Sequence, residues 1–226
     1  MIRPSHPGCW ISPSTSGTAG RRSGCWIGWR RGCPTWPATR ATTTCTGRRT
    51  PPPNGAAEAF ALLSNLRPAR AAVIAPSFTE PAAALSAAGV PVHHVVLEPP
   101  FGLRGVAVPE EADLVVVGNP TNPTAVLHGR EQLLALRRPG RLLVVDEAFA
   151  DAIPGEPQSL AGDALPDVLV LRSLTKTWAL AGLRVGYALG APEVLARLTA
   201  QRAHWPVGTL QLTALASPTR RPGRSG

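Results

Sequence analysis

Four short apolar runs, "AAVIA", "DLVVVG", "LLVVD" and "DVLVLRS", constrain this chain more than any other feature. Each is short for a helix and too uniformly apolar for a strand with one wet face, so each belongs in a sheet covered on both sides. Helical text lies between them. "NGAAEAFALLSNL" is entered at Asn54 or Gly55, with Ala57, Phe60, Ala61 and Leu63 or Ser64 near one face. "EPAAALSAAG" is stopped by Gly89, and "HGREQLLALRR" and "APEVLARLTAQRA" come further on, while "PVHHVVLEPP" and "LRVGYALG" read as two more strands. Strands alternating with helices predict an α/β fold, a three-layer sandwich around a mainly parallel central sheet. Ligands of such sheets bind at the carboxyl ends of the strands. The segments just after the runs are therefore where chemistry is expected: "APSFTE", "GNPTNPTAV", "DEAF" and "RSLTK".

A composition of 44% hydrophobic residues over 226 positions is enough for a sizeable core. No apolar run reaches the roughly 18 residues of a membrane span, and the start lacks a charged region followed by an apolar one. A cytoplasmic protein without a membrane partner is the expectation. The net charge of +9 suggests nucleic acid until it is located. Residues 1–53 hold eight arginines and residues 217–226 three, with no acid in either, whereas 54–216 carry twelve basic and fourteen acidic side chains. The middle is mildly acidic and lacks interleaved aromatic and basic residues, which argues against a nucleic-acid partner.

Other residue types divide at the same place. All four cysteines (Cys9, Cys25, Cys33, Cys45) and four of six tryptophans precede residue 54. The cysteine spacing offers no CxxC pair and no metal site, and nothing points to a disulfide framework. The sequence divides into an atypical segment 1–53, a domain at 54–216 and an atypical tail at 217–226. The atypical segments read either as disordered basic extensions or as text translated out of frame from a GC-rich gene.

Lys176 is the only lysine in a chain with 22 arginines. Lysine can lose its proton and attack a carbonyl to form a Schiff base, which arginine cannot do at accessible pH. Asp146 ends a buried strand, where a carboxylate needs a cationic partner, and a protonated pyridine nitrogen would serve. Capping of the following loop is the simpler reading of the same aspartate. Three features suit an anion. Gly55, Ala56 and Ala57 open a helix with small side chains, Ser173 and Thr175 place hydroxyls beside Lys176, and Arg184 adds a bidentate cation.

"NGAAE", "PSF", "NPTNPT", "VVDEAF" and "SLTKTWALAGLRVGY" together, in this order, resemble fold-type I pyridoxal-phosphate enzymes of aminotransferase class I/II. The similarity is greatest to the histidinol-phosphate aminotransferase group, and "DEAF", "VLRSLTK" and "HWPVGTLQLTALA" look like the threonine-phosphate decarboxylases of cobalamin biosynthesis. The resemblance implies the large domain of that fold, incomplete here, with pyridoxal 5'-phosphate as cofactor and a small phosphorylated amino acid or amino alcohol as substrate. It implies that Lys176 bears the cofactor, Asp146 pairs with its pyridine nitrogen, Asn122 bonds its 3-hydroxyl and Phe78 stacks on its ring. Ala56, Ala57, Ser173, Thr175 and Arg184 would hold its phosphate. No metal is implied.

The chain departs from the family in places. Phe149 stands where many aminotransferases have a tyrosine. The family's small carboxyl-terminal domain, with its substrate-binding arginine, is expected after residue 216, and a Tyr-Pro pair in the amino-terminal arm, yet Tyr187 is the chain's only tyrosine. The resemblance implies a homodimer with sites at the interface, and the departures fall on both ends of the chain. Two readings of activity result: a transaminase or decarboxylase, or a truncated or frameshifted remnant that keeps the fold.

Overall fold

The computed structural model describes residues 53–163 and 165–216. The expectations for 1–52 and 217–226, the cysteines among them, lie outside the described residues.

Six strands form one sheet: β1 (Ala71–Ala75), β2 (Val92–Val96), β3 (Leu114–Gly118), β4 (Leu142–Asp146), β5 (Val168–Ser173) and β6 (Gly186–Leu189). Their order is β2-β1-β3-β4-β5-β6, parallel throughout except that β6 runs antiparallel to β5. The helices are α1 (Gly55–Leu62), α2 (Glu80–Ala87), α3 (Arg130–Leu134), α4 (Pro192–Thr199) and α5 (Thr209–Ala216). The α/β expectation holds. The chain leaves β1 for β2 on one side and returns to β3 on the other, so strand order reverses between β1 and β3, where a crevice opens at the carboxyl ends.

Alternation along the strands makes two cores. Val73, Leu114, Val116, Val144, Leu169 and Leu171 face one side, with Phe60 and Leu63, Leu85 of α2, and Leu195 and Leu198 of α4. Ile74, Val115, Val117, Leu143, Val145 and Val170 face the other, with Leu133 and Leu136 and the loop residues Leu97, Leu103 and Leu160. A sheet between two such layers is the three-layer sandwich, and the fully buried β5 is its most protected strand.

Two local expectations need correction. In α1 the buried positions are Gly55, Ala59 and Phe60, with Leu63 just beyond, whereas Ala57 and Ala61 are exposed. The helix starts at the strand ends, so its first turn overhangs the crevice. The strand expected in "PVHHVVLEPP" is present as β2, which lies at the sheet edge and exposes His93, His94 and Val96. The helix in "HGREQLLALRR" stops at Leu134, and Arg137 turns away to pair with Asp167 through Nε and Nη2, at 2.9 and 2.7 Å.

One close approach fixes the start of α1. A Cβ on Gly186 would lie 2.7 Å from the Arg172 carbonyl oxygen, 3.2 Å from Gly55 C and 3.3 Å from Ala56 N. Only glycine lets the first turn of α1 lie on the β5–β6 pair. The contact is fastened by an isolated antiparallel bridge between Asn54 and Val185 and by the Gly186 N–H donating to the Pro53 carbonyl, 3.3 Å.

Candidate active site

The carboxyl ends of β1, β3, β4 and β5, with the start of α1, surround an open cleft. All nine candidate residues line it: Ala56, Ala57, Phe78, Asn122, Asp146, Ser173, Thr175, Lys176 and Arg184. Five segments distant in sequence thus supply one site.

One end of the cleft gathers groups whose chemistry suits an anion. The first-turn N–H groups of a helix have no intrahelical acceptor, and those of Ala56 and Ala57 open α1 at the cleft wall. Ser173 Oγ and Thr175 Oγ1 are buried and 2.7 Å apart, and Thr175 N–H donates to Ser173 Oγ at 3.3 Å. Arg184 brings its guanidinium over the start of the helix, where a Cβ on Gly55 would stand 2.9 Å from Nη2. Gly55 has φ of 75°, so both its conformation and the space beside it require glycine. Glu58, an acid in the same first turn, is neutralised by Arg202, whose Nε and Nη2 donate to its two oxygens at 2.7 and 2.8 Å. Burial pushes the Glu58 carboxyl up, but Arg202 and the Asn54 N–H outweigh this and hold it below the usual range.

The floor has a different chemistry. Asp146 is half-buried at the end of β4, and burial pushes its carboxyl up to about 6. Among the described residues its side chain accepts one hydrogen bond, from Ala148 N–H to Oδ1 at 3.1 Å, and the charge of Lys176 reaches it only at longer range. Asp146 therefore does cap its loop, and it also presents an incompletely satisfied carboxylate to the cleft. Lys176 follows β5, with Nζ 5.8 Å from the centroid of the Phe149 ring. The phenylalanine at this position puts an aromatic face beside the ammonium group. Phe78, 39% exposed, lies with its ring 6.1 Å from that of Phe60, which leaves one edge of the cleft aromatic.

Asn122 sits on the loop after β3, and the brace behind that loop was not legible in the sequence. Buried Asn119 and His128 exchange two hydrogen bonds, His128 N–H to Asn119 Oδ1 at 2.8 Å and Asn119 Nδ2 to the His128 carbonyl at 3.2 Å. Thr121 Oγ1 donates to the Gly118 carbonyl at 2.8 Å and lies 3.2 Å from His128 Nε2. Also missed was Arg172, whose side chain is 3% exposed inside β5 and is ringed by Glu147, Asp151 and Glu156 at 2.6 to 2.8 Å. An arginine interrupting a wholly apolar strand was the available signal.

A family model for aminotransferase class I and II matches residues 40–220. The chain belongs to aminotransferase class I and II. Among its curated relatives, a histidinol-phosphate aminotransferase of Mycobacterium tuberculosis strain H37Rv is 78% identical over 163 residues, covering 72% of this chain and 45% of the relative. A threonine-phosphate decarboxylase of Salmonella typhimurium strain LT2 is 34% identical over 173 residues, 71% of this chain and 48% of that one. The chain thus spans a little under half the length of these class I and II relatives. A solved histidinol-phosphate aminotransferase from Sinorhizobium meliloti, in complex with pyridoxal-5'-phosphate, superposes with a TM-score of 0.70 at 22% identity over 79% of this chain and 52% of that one. At that identity the likeness establishes the fold.

Proposed function

We propose that this chain forms the cofactor-binding part of a pyridoxal-phosphate-dependent aminotransferase whose substrate is a phosphorylated amino acid or amino alcohol, with histidinol phosphate the leading candidate. The observation that carries the reading is the pairing of an anion cradle with an incompletely satisfied carboxylate and a lone lysine in one cleft. A phosphorylated pyridine aldehyde has the three complementary groups. When bound, it supplies an electron sink for charge developing on the substrate.

The chain's own groups divide the remaining work. Ala56 and Ala57 N–H, the hydroxyls of Ser173 and Thr175, and Arg184 would hold the phosphate. Asp146 would keep a proton on the ring nitrogen, because a cation opposite its carboxylate relieves the cost of burial there. Asn122 would donate to the ring oxygen, and Phe78 would cover a ring face and exclude water from it. Lys176 would hold the cofactor until substrate arrives, then carry a proton on Nζ to or from the substrate carbon.

A second reading is decarboxylation of threonine phosphate, as in cobalamin biosynthesis, favoured by the 34% identical Salmonella relative. The relatives' activities belong to chains of about twice this length, and an inactive remnant that keeps the fold is the third outcome. Homodimerisation and a cytoplasmic location are parts of the same proposal. Two titrations test it. Pyridoxal phosphate added to the chain should give the absorbance of lysine-linked cofactor, absent in Lys176→Ala. Histidinol phosphate should then shift that absorbance. A shift with threonine phosphate alone transfers the assignment to the decarboxylase, and no Lys176-dependent absorbance overturns the cofactor reading.

A further inference from the structure

Behind the cleft lies a buried ionic cluster that none of the proposed steps uses. The guanidinium of Arg172 meets three carboxylates: Nη2 is 2.8 Å from Glu147 Oε2 and 2.6 Å from Glu156 Oε2, and Nη1 is 2.6 Å from Asp151 Oδ1. Ser159 Oγ accepts a further bond from Nη2 at 2.9 Å and donates to Glu147 at 2.7 Å. Two members lead toward the site. Glu147 is the neighbour of Asp146 and is fixed at its other oxygen by Leu160 N–H, 2.8 Å. Asp151 uses its second oxygen, Oδ2, to accept the indole N–H of Trp178 at 2.5 Å.

Trp178 stands two residues beyond Lys176, on the loop from β5 to β6. That loop needs holding. Lys176, Thr177 and Ala179 are exposed, and Ala179 adopts the left-handed region with φ of 55°, which a residue with a Cβ disfavours. Two backbone bonds close the turn, Ala179 N–H to the Lys176 carbonyl at 2.9 Å and Leu180 N–H to the Leu174 carbonyl at 3.3 Å. The second reaches back to buried Leu174, and neither involves a side chain. The indole adds two side-chain ties to the interior, its bond to Asp151 and its packing on Leu174 and Val185.

We propose that Asp151 and Trp178 are positioning residues for Lys176, anchoring its loop to the Arg172 cluster so that Nζ is presented to the aldehyde of a bound pyridoxal phosphate. The inference rests on the proposed role of Lys176 as the residue that holds the cofactor. Linkage forms a C=N bond between Nζ and the aldehyde carbon, and the aldehyde oxygen leaves as water, so no oxidant or reductant is involved. The cradle for the phosphate contains neither Asp151 nor Trp178. Linkage and anion binding are thereby separable.

Trp178→Phe removes the indole donor while keeping a ring in the apolar cluster. Titrated with pyridoxal phosphate and followed by absorbance, this variant should show a linkage equilibrium about tenfold weaker than the parent chain, the scale of one hydrogen bond to a charged acceptor. Its affinity for inorganic phosphate, measured by calorimetry, should stay within about twofold, since the donors that bind the anion are untouched. Linkage equal to the parent's overturns the proposal, and so does a parallel fall in linkage and phosphate affinity, which would mean general damage. A second arm needs no cofactor: amide hydrogen exchange at residues 176–180 should accelerate in Trp178→Phe and in Asp151→Asn, with β4 and β5 unchanged. If the parent chain shows no Lys176-dependent linkage, the cofactor reading fails, while the exchange arm still decides whether the pair holds the loop. Unchanged exchange in both variants overturns the anchoring.

Discussion

Arg184 and Gly55 are matched by subtraction: the guanidinium occupies the space where any side chain at position 55 would begin, with a virtual Cβ only 2.9 Å from Nη2. The glycine serves the arginine as much as it serves the helix. Gly55→Ala should push the guanidinium off the helix start and add left-handed strain of about 1–2 kcal/mol. Affinity for pyridoxal phosphate, measured by fluorescence titration, should fall about 10- to 100-fold, as expected for losing a bidentate charge-assisted contact. Unchanged affinity would remove Arg184 from the cradle.

Asp146 sets a conflict between the unliganded fold and the function proposed for it. Its folded pKa of about 6 lies above the ordinary 3.8, so the folded state binds the proton more tightly. The resulting stability is complete below pH 3.8 and is lost as pH rises through 6, a swing on the order of 3 kcal/mol. Asp146→Asn should therefore stabilise the cofactor-free chain at pH 7 and flatten this part of its pH profile, while weakening pyridoxal-phosphate binding. Denaturant unfolding at pH 4, 5, 6 and 7 checks the first part, and cofactor titration the second.

His128 acts with the opposite sign. Burial holds its imidazole below the usual range, so the unfolded chain takes up the proton first. Its contribution is complete above about pH 6.5 and is lost as pH falls from there toward the folded value. His128→Gln should reduce the pH dependence of unfolding below 6.5. Because His128 braces the Asn122 loop through Asn119 and Thr121, the substitution should also raise amide exchange at residues 119–126.

Arg172→Leu should leave Glu147, Asp151 and Glu156 facing one another in the interior. Burial opposes the charge of Arg172, yet Glu147, Tyr187 and Glu156 outweigh it and hold the guanidinium above its ordinary value. Removing one partner of a buried ionic group costs roughly 3–5 kcal/mol. Unfolding in urea should report a loss of that size, and a loss below about 1 kcal/mol would mean that the carboxylates simply take up protons.

The sheet was legible because its strands are apolar on both faces, so even a short window separates them from amphipathic helices. Edge position was not: "PVHHVV" reads as a strand either way, and only pairing shows that His93, His94 and Val96 face outward. The gathering of the candidate residues in one cleft was legible because Asp146 and Ser173 end their strands and Thr175 and Lys176 follow β5, and parallel strands bring their carboxyl ends together. The supports behind it were hidden. Glu147, Asp151 and Glu156 look like ordinary loop acids until the fold closes around Arg172, and nothing in the spacing of Asn119, Thr121 and His128 announces a brace. α5 has no counterpart among the expected helices, since "TLQLTALA" has no clear apolar face.

The antiparallel turn from β5 to β6 carries a further consequence. Ser173 and Gly186 are paired across the two strands, and the loop they close contains both Lys176 and Arg184. The lysine proposed for the cofactor's aldehyde and the arginine proposed for its phosphate hang from a single rung of the sheet. Loop length therefore works as a gauge for the ligand, set by residue count inside one local segment, and adding or deleting a residue there would mis-size the site however well every side chain was preserved.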